Sequence, residues 1–177
     1  YPEGDTQVWS QGQPEHHRWW FPCFDAPNER MTSGITCRVP AEMTVISNGR
    51  LLGREAGPDG LTAWRWLQDE PHPTYLIGLA AGYFHKLEDN SGSVPLALFV
   101  PPSEAAQAEG AFRETGRILS FLERETGITY PWDKYWQVYC HDFLAGGMEN
   151  TSCTFMASRM LFAPETGELH TIHEINA

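Results

Sequence analysis

The chain has 177 residues, 41% hydrophobic and 20% charged, a composition typical of a soluble globular protein with one ordinary domain or parts of two. Its formal net charge of −11 argues against non-specific binding to nucleic acid, which needs a basic surface. No apolar run reaches the roughly 18 residues that a membrane-spanning helix needs, so the sequence predicts no transmembrane segment.

The N-terminus has neither an initiator methionine nor the charged and apolar regions of a signal peptide. We therefore expect the chain to begin inside a longer protein, and its localisation stays unknown. None of the four cysteines forms a C-x-x-C pair, so they are expected to be buried thiols, with a disulfide as the alternative. They are Cys23, Cys37, Cys140 and Cys153.

Two glutamines form the first polar feature in chain order. Because Gln11 and Gln13 alternate, their side chains should lie on the same side of an extended strand and could hydrogen-bond a ligand from one face. The alternative is an edge strand with its polar side chains in solvent. His16 and His17 are adjacent, so on a strand they would face opposite ways, which makes them a poor metal chelate.

Residues 34–100 have the pattern of antiparallel β-structure. Short alternating runs at 35–39, 43–46, 62–67 and 96–100 are separated by turn-forming residues at 47–49 and 57–60. The nearly all-apolar run 75–82 is typical of a strand buried on both faces. Short strands at this spacing predict a β-sandwich.

The hydrophobic period changes after two prolines at 101 and 102. Ser103 is a suitable N-cap, apolar residues then recur every three or four positions, and Gly127 is a natural C-terminal stop. The pattern predicts one amphipathic helix over 103–126, with a domain boundary near 100–103. Residues 135–139 and 151–156 are expected to be strands on either side of Gly146 and Gly147.

The most distinctive local segment is Gly146-Gly147-Met148-Glu149-Asn150. Two glycines let another backbone approach closely, so a neighbouring strand can offer its N–H and C=O groups to an extended peptide. The Glu149 carboxylate beside them could pair with an ammonium group. The alternative is a β-bulge followed by a solvated glutamate.

A possible metal-binding pattern lies near the C-terminus, where His170, His173 and Glu174 follow one another closely. Histidines at positions i and i+3 could share a metal ion on a helix, but two nitrogens and a carboxylate are an incomplete set of ligands. The alternative is a polar surface turn.

The order of several motifs resembles the zinc aminopeptidase family of aminopeptidase N and leukotriene hydrolase, the gluzincin metallopeptidases. The resemblance runs from about Gln11 to Phe162. Its motifs are Gln-x-Gln, Phe-Pro-Cys-x-Asp-x-Pro, Ser-Asn-Gly, Pro-x-Pro-Thr-Tyr-Leu, Tyr-Pro-Trp-x-Lys and Asp-Phe-x-x-Gly-Gly-Met-Glu-Asn.

The resemblance implies a fold class that is mainly β and then α+β. Residues 1–102 would be the second half of an N-terminal antiparallel β-sandwich domain. Residues 103–177 would begin a thermolysin-like catalytic domain.

The resemblance also implies the chemistry. In such enzymes zinc polarises the scissile carbonyl and activates a water, and the glutamate of Gly-x-Met-Glu-Asn binds the free α-amino group of a peptide substrate. Glu149 would take that role, and the backbone of Gly146, Gly147 and Met148 would hold the substrate strand. Gln13 and Gln11 would line the pocket for the first residue, and Asn150 completes the candidate substrate-binding set.

The zinc motif of the family, His-Glu-x-x-His, is incomplete here. His173-Glu174 begins like it, but Ala177 stands where the second histidine belongs, so either the true motif follows Ala177 or His173-Glu174 is an altered or truncated copy. We expect zinc in the complete enzyme, none bound by this fragment, no catalytic residue within it and no hydrolysis by the chain without the remainder of its catalytic domain.

Two other functions are compatible with the same resemblance. One is a non-catalytic binding or scaffold relative of the same fold, although an intact amine site at Glu149 argues against it. The other is an epoxide hydrolase activity of the leukotriene hydrolase type.

Overall fold

The computed structural model describes residues 4–161, which form eleven strands, two short α-helices and four 3-10 turns. The strands are β1 (Gln7–Trp9), β2 (Arg30–Pro40), β3 (Thr44–Ser47), β4 (Arg50–Ala56), β5 (Leu61–Pro73), β6 (Leu79–Gly82), β7 (His85–Asp89), β8 (Leu96–Val100), β9 (Tyr135–Cys140), β10 (Gly147–Met148) and β11 (Cys153–Ala157). The helices are α1 (Ala108–Phe112) and α2 (Thr115–Thr126), and the 3-10 turns are His17–Trp19, Thr74–Leu76, Pro102–Gln107 and Ser158–Met160.

Two three-stranded antiparallel sheets form the N-terminal part, in the orders β1-β6-β3 and β2-β5-β4. They pack face to face through apolar side chains such as Val39 and Trp66 from one sheet and Val45 and Ala81 from the other. This arrangement confirms the mainly β fold class predicted for the first part of the chain.

The third sheet is mixed and has the order β10-β11-β9-β8-β7. The two outer pairs are antiparallel, whereas β9 runs parallel to both β8 and β11. Its strands and the segment after β9 bury the largest apolar cluster of the described chain, which includes Phe99, Val138, Phe143 and Phe155.

This third sheet contains residues from both sides of position 102. Strands β7 and β8 precede the predicted boundary, but β8 pairs with β9 from Leu96↔Tyr135 to Phe99↔Val138. By sheet pairing, β7 and β8 therefore lie with the C-terminal part. The division into domains at 102 and 103 stays a prediction.

The helical region is broken where the sequence predicts one helix over 103–126. A 3-10 segment, Pro102–Gln107, comes first, and α1 and α2 are interrupted at residues 113–114. Ser103 does not cap a helix, because its hydroxyl donates to the Asp5 carboxylate. Gly127 does end α2, with φ at +68° in the left-handed region that glycine tolerates.

The apolar run 75–82 is a strand only in its second half. Residues Thr74–Leu76 form a 3-10 turn, and β6 begins at Leu79. The backbone between them bonds to side chains instead of a neighbouring strand. Gly78 N donates to Asn48 Oδ1 over 2.7 Å, and Gly78 O accepts from Ser47 Oγ over 2.7 Å.

All four cysteines are free thiols, and two of them, Cys140 and Cys153, are buried as expected, whereas the other two are partly exposed. Within residues 4–161, no helix has the length and apolar content to cross a bilayer.

Candidate functional site

The Gly146-to-Asn150 segment lies at the edge of the mixed sheet. Its strand β10 is antiparallel to β11, with Gly147 opposite Met156 and Met148 opposite Phe155. Gly146 O also accepts a hydrogen bond from Ala157 N over 3.0 Å. Because β10 is last in the sheet order, its outer edge has no strand partner among the described residues.

The two glycines differ in their surroundings. A Cβ atom at Gly147 would lie 2.9 Å from Met156 Sδ, whereas one at Gly146 would meet nothing within 4 Å. Gly147 therefore permits close contact with β11, and Gly146 leaves open space on the solvent side. Both glycines are exposed, as a segment that receives an external backbone requires.

Glu149 is an exposed residue between two buried ones. Met148 and Asn150 are each only 2% exposed. The Glu149 carboxylate makes no hydrogen bond or ion pair with any residue of the described range 4–161. The buried neighbours hold the backbone of Glu149, and its unpaired carboxylate can accept charge-assisted hydrogen bonds from an external ammonium group.

Asn150 holds the segment to the N-terminal part of the fold. Its Nδ2 donates to Ile77 O over 3.2 Å, and the next residue, Thr151, donates its N–H to Leu76 O over 3.2 Å. The predicted role of Asn150 in substrate binding stays a prediction. Its side-chain hydrogen bonds are with residues 76 and 77, and its side chain is buried.

A second tether comes from the turn between β3 and β4, residues 47–49, which we call the 47–49 turn. Asn48 Nδ2 donates to Thr151 O over 2.6 Å and to Leu76 O over 3.0 Å. Gly49 N donates to Ser152 Oγ over 2.8 Å. The 47–49 turn thus fixes residues 151 and 152, which directly follow the candidate segment.

Glycine is required in the 47–49 turn for two reasons. Gly49 has φ at +69°, and a Cβ atom there would lie 2.0 Å from Leu67 O. A side chain at position 49 would therefore be strained by its own backbone and would clash with β5.

Lys134 is a buried cation beneath this network, only 4% exposed. Its Nζ donates to Ser47 O at 2.8 Å, Gly49 O at 2.5 Å and Ser152 Oγ at 3.1 Å. The same atom lies 4.9 Å from the ring centroids of Trp66 and Trp136. Burial lowers the pKa of Lys134 to about 8.

The predicted strand through Gln11 and Gln13 is wrong. Strand β1 ends at Trp9, and Gln13 lies in a turn whose backbone N–H donates to Gln11 Oε1 over 3.4 Å. After β1 the chain forms a loop that packs closely on His17, because a Cβ atom at Gly12 would lie 2.0 Å from the His17 ring. Burial lowers the pKa of His17, so this histidine is a neutral core residue.

Both candidate segments are anchored on the same stretch of chain, residues 76–79. On one side, Ser10 N donates to Leu79 O over 2.9 Å and Leu79 N donates to Ser10 Oγ over 3.0 Å. On the other side, Asn150 bonds to residues 76 and 77. The loop that begins at Ser10 and the Glu149 segment are thus both hydrogen-bonded to residues 76–79.

Sequence reasoning missed the residues that hold the site together, namely Asn48, Gly49, Lys134 and Ser152. The motifs Ser-Asn-Gly and Tyr-Pro-Trp-x-Lys are visible in the sequence, but nothing local indicates that one binds the other. One signal was available for Lys134, because a lysine within an aromatic-rich stretch is a candidate for cation–π contact.

The predicted metal ligands His170, His173 and Glu174 lie outside the described residues. Within residues 4–161, no group of three or more His, Cys, Asp or Glu side chains could hold a metal ion.

Comparison with known proteins identifies the family. The model of the Peptidase M1 N-terminal domain matches residues 1–76, and that of the Peptidase family M1 domain matches residues 111–176. Aminopeptidase Ey of Gallus gallus is 36% identical over 159 residues, which are 85% of this chain and 16% of that protein. Aminopeptidase N of Canis lupus familiaris is 32% identical over 167 residues, 90% of this chain and 17% of that protein.

Similarity extends to a human relative. Glutamyl aminopeptidase of Homo sapiens is 30% identical over 156 residues, 86% of this chain and 16% of that protein. The chain thus spans about a sixth of the length of the curated relatives it matches. With two models of one family matching on either side of the β6–β8 region, the chain belongs to peptidase family M1.

Proposed function

We propose that this chain is part of a zinc-dependent aminopeptidase that removes N-terminal residues from peptides, and that it supplies the segment that binds the substrate's free α-amino group. Family membership and the aminopeptidase relatives support the reaction class. The observation that carries the site assignment is that Glu149 is exposed between two buried residues and that its carboxylate is unpaired within residues 4–161.

The backbone beside Glu149 suits an extended peptide. Strand β10 has a free outer edge among the described residues, and Gly146 leaves open space next to it. A substrate that paired with this edge would gain main-chain hydrogen bonds and carry its terminal ammonium toward Glu149. An internal peptide segment has no ammonium there, so this arrangement selects the free N-terminus of the chain.

The neighbouring loop is the proposed wall for the first substrate side chain. Support for this wall comes from Ser10, which bonds to Leu79, next to residues 76 and 77 that Asn150 contacts. Their amide groups would set the preference for that side chain.

The residues described here do not fit a zinc site, so we derive no step through the metal. Zinc bound elsewhere in the catalytic domain would polarise the scissile carbonyl and activate a water. We assign substrate binding to residues 4–161 and bond cleavage to the remainder of that domain. By itself, the chain is expected to have no hydrolytic activity.

The test is Glu149→Gln in the full-length protein that contains this chain. Gln keeps the size and hydrogen-bonding capacity but removes the charge, so we expect a loss of about 1.5–3 kcal/mol in transition-state binding, roughly ten- to a hundredfold in kcat/KM. The loss should appear in kcat as well as KM, because part of the interaction positions the scissile bond. The measurement is kcat/KM for an aminoacyl substrate with a free amine and for its N-acetylated counterpart.

Two controls separate amine binding from a general effect. Acetylating the substrate should reproduce the mutation in the wild-type protein, and the two effects should not add. Glu42→Gln changes another exposed glutamate that has no partner within residues 4–161, and it should leave kcat/KM unchanged. Wild-type activity of Glu149→Gln on the free amine would show that Glu149 is a solvated glutamate and not the amine anchor.

A further inference from the structure

Lys134 is a buried cation without a counter-ion among the described residues. No carboxylate lies within ion-pair distance of its Nζ, and the two nearest rings are the indoles of Trp66 and Trp136. Taking an ammonium out of water without a paired charge is costly, and an apolar side chain of similar volume would avoid that cost. Its ammonium instead donates to three specific acceptors, which indicates that Lys134 holds neighbouring segments in position.

Those acceptors come from two separate pieces of chain. Two are the carbonyls of Ser47 and Gly49 in the 47–49 turn, and the third is the hydroxyl of Ser152. The Ser152 oxygen also accepts from Gly49 N. Lys134 therefore joins the 47–49 turn to a residue three positions after Glu149.

Ser152 pays a conformational penalty at this junction. Its φ is +63°, in the left-handed region that is unfavourable for a non-glycine residue. Glycine would remove the strain but also the hydroxyl that receives Lys134 and Gly49. The strained serine is thus explained by the two hydrogen bonds that its side chain accepts.

We infer that Lys134 is a positioning residue for Glu149: its ammonium locks the 47–49 turn to Ser152 and so holds the Glu149 carboxylate at the edge of β10, where a substrate ammonium would bind. The inference rests on the proposed function of Glu149. Lys134 does not touch the substrate, because its Nζ is buried and its three N–H groups are already bonded. It acts through residues 150–152, which Asn48 and Leu76 also hold.

The principal variant is Lys134→Met in the full-length protein, which keeps an unbranched side chain beside the two indoles and removes the ammonium. Discrimination is the ratio of kcat/KM for the free-amine substrate to that for its N-acetylated counterpart. We expect it to fall about tenfold or more, because small displacements of a binding group are costly. Combined with Glu149→Gln, Lys134→Met should cause no further loss of discrimination, because both variants then remove the same interaction.

A matched control is Lys86→Met. Lys86 also places its ammonium over Trp136, at 5.4 Å, but it does not contact the 47–49 turn or Ser152. Amide hydrogen exchange gives a second readout that needs no activity. Exchange at Gly49, Thr151 and Cys153 should be faster in Lys134→Met and unchanged in Lys86→Met.

Ser152→Ala covers the case in which Lys134→Met does not fold. It removes one acceptor of three, so we expect a smaller loss of discrimination in the same direction. Wild-type discrimination in the folded Lys134→Met protein, or in Ser152→Ala if only that variant folds, overturns the inference. If Glu149→Gln retains discrimination, the proposed function itself fails. If Glu149→Gln is the one variant that loses discrimination, the proposed function of Glu149 stands and only the inference about Lys134 is wrong.

Discussion

His72 is a buried histidine on β5, and we expect it to make the fold less stable in acid. It is fully buried, and its Nε2 lies 3.1 Å from Ser33 Oγ. Burial, with a smaller contribution from the nearby His17, lowers the pKa of His72 from 6.5 to about 4. The native state therefore holds this ring neutral at pH values where the unfolded chain would protonate it.

The sign of the resulting pH dependence follows from proton uptake. Between pH 6.5 and about 4 the unfolded state binds the proton and the native state does not, so stability is lost as the pH falls. We expect His72 to account for a loss of about 3 kcal/mol in the free energy of unfolding over that range. Urea unfolding of the wild-type chain at a series of pH values measures it.

The control variant is His72→Gln. It should flatten the acid dependence, even if it lowers stability at neutral pH. An unchanged slope in His72→Gln would mean that another group is responsible.

At the scale of single residues, the candidate substrate-binding residues could be predicted from the sequence, but the residues that hold them in position could not. Glu149 and its two glycines are adjacent in the chain, so their joint chemistry is visible as a motif. The contacts of Asn48 with Thr151 and of Gly49 with Ser152 each span 103 positions. A short window of sequence cannot contain both partners of such a contact.

At the scale of elements, the 47–49 turn is a tight connection that tolerates only glycine at its third position. Ala at position 49 would bring both the left-handed backbone strain, about 1–2 kcal/mol, and the clash with Leu67 O. We expect Gly49→Ala to lower the free energy of unfolding by clearly more than that strain alone.

Gly60→Ala isolates the backbone contribution. Gly60 has φ at +78° in the hairpin between β4 and β5, but a Cβ atom there would meet nothing within 4 Å. Its cost should be about 1–2 kcal/mol, measured by thermal or urea unfolding. Equal losses for the two variants would show that β5 moves away from the new methyl group without cost.

In the helical region, the periodicity of apolar residues predicts that a helix is present but not whether it is unbroken. The spacing of apolar residues over 103–126 correctly indicated helical structure, and Gly127 correctly marked its end. The break at 113–114 lies between Gly110 and Gly116, two poor helix formers. At the start of this region, Asp5 accepts hydrogen bonds from both the hydroxyl and the N–H of Ser103, so the hydroxyl is not available to cap a helix. No local sequence pattern reveals this contact, because Asp5 is distant in the chain.

At the scale of the whole molecule, the mixed sheet connects the two parts of the chain. Residues 103–177 alone would lack β7 and β8, so β9 would have an unpaired edge and its core would lose Phe99. We expect this segment to show no cooperative unfolding, because a sheet needs its buried partners.

Adding residues 84–102 restores both strands, so the segment 84–177 serves as the comparison. Thermal unfolding followed by circular dichroism distinguishes the two. A cooperative transition for residues 103–177 would support a domain boundary at 102 and contradict the one that sheet pairing suggests.

The tether between the 47–49 turn and residues 151–152 also affects how the chain can be recombined with its relatives. A hybrid that took residues up to 84 from one protein and the rest from another would separate Asn48 and Gly49 from Lys134 and Ser152. Gly49, Lys134 and Ser152 are hydrogen-bonded to one another, and Asn48 bonds to Thr151, next to Ser152. Functional hybrids should therefore be those in which the four positions come from the same parent.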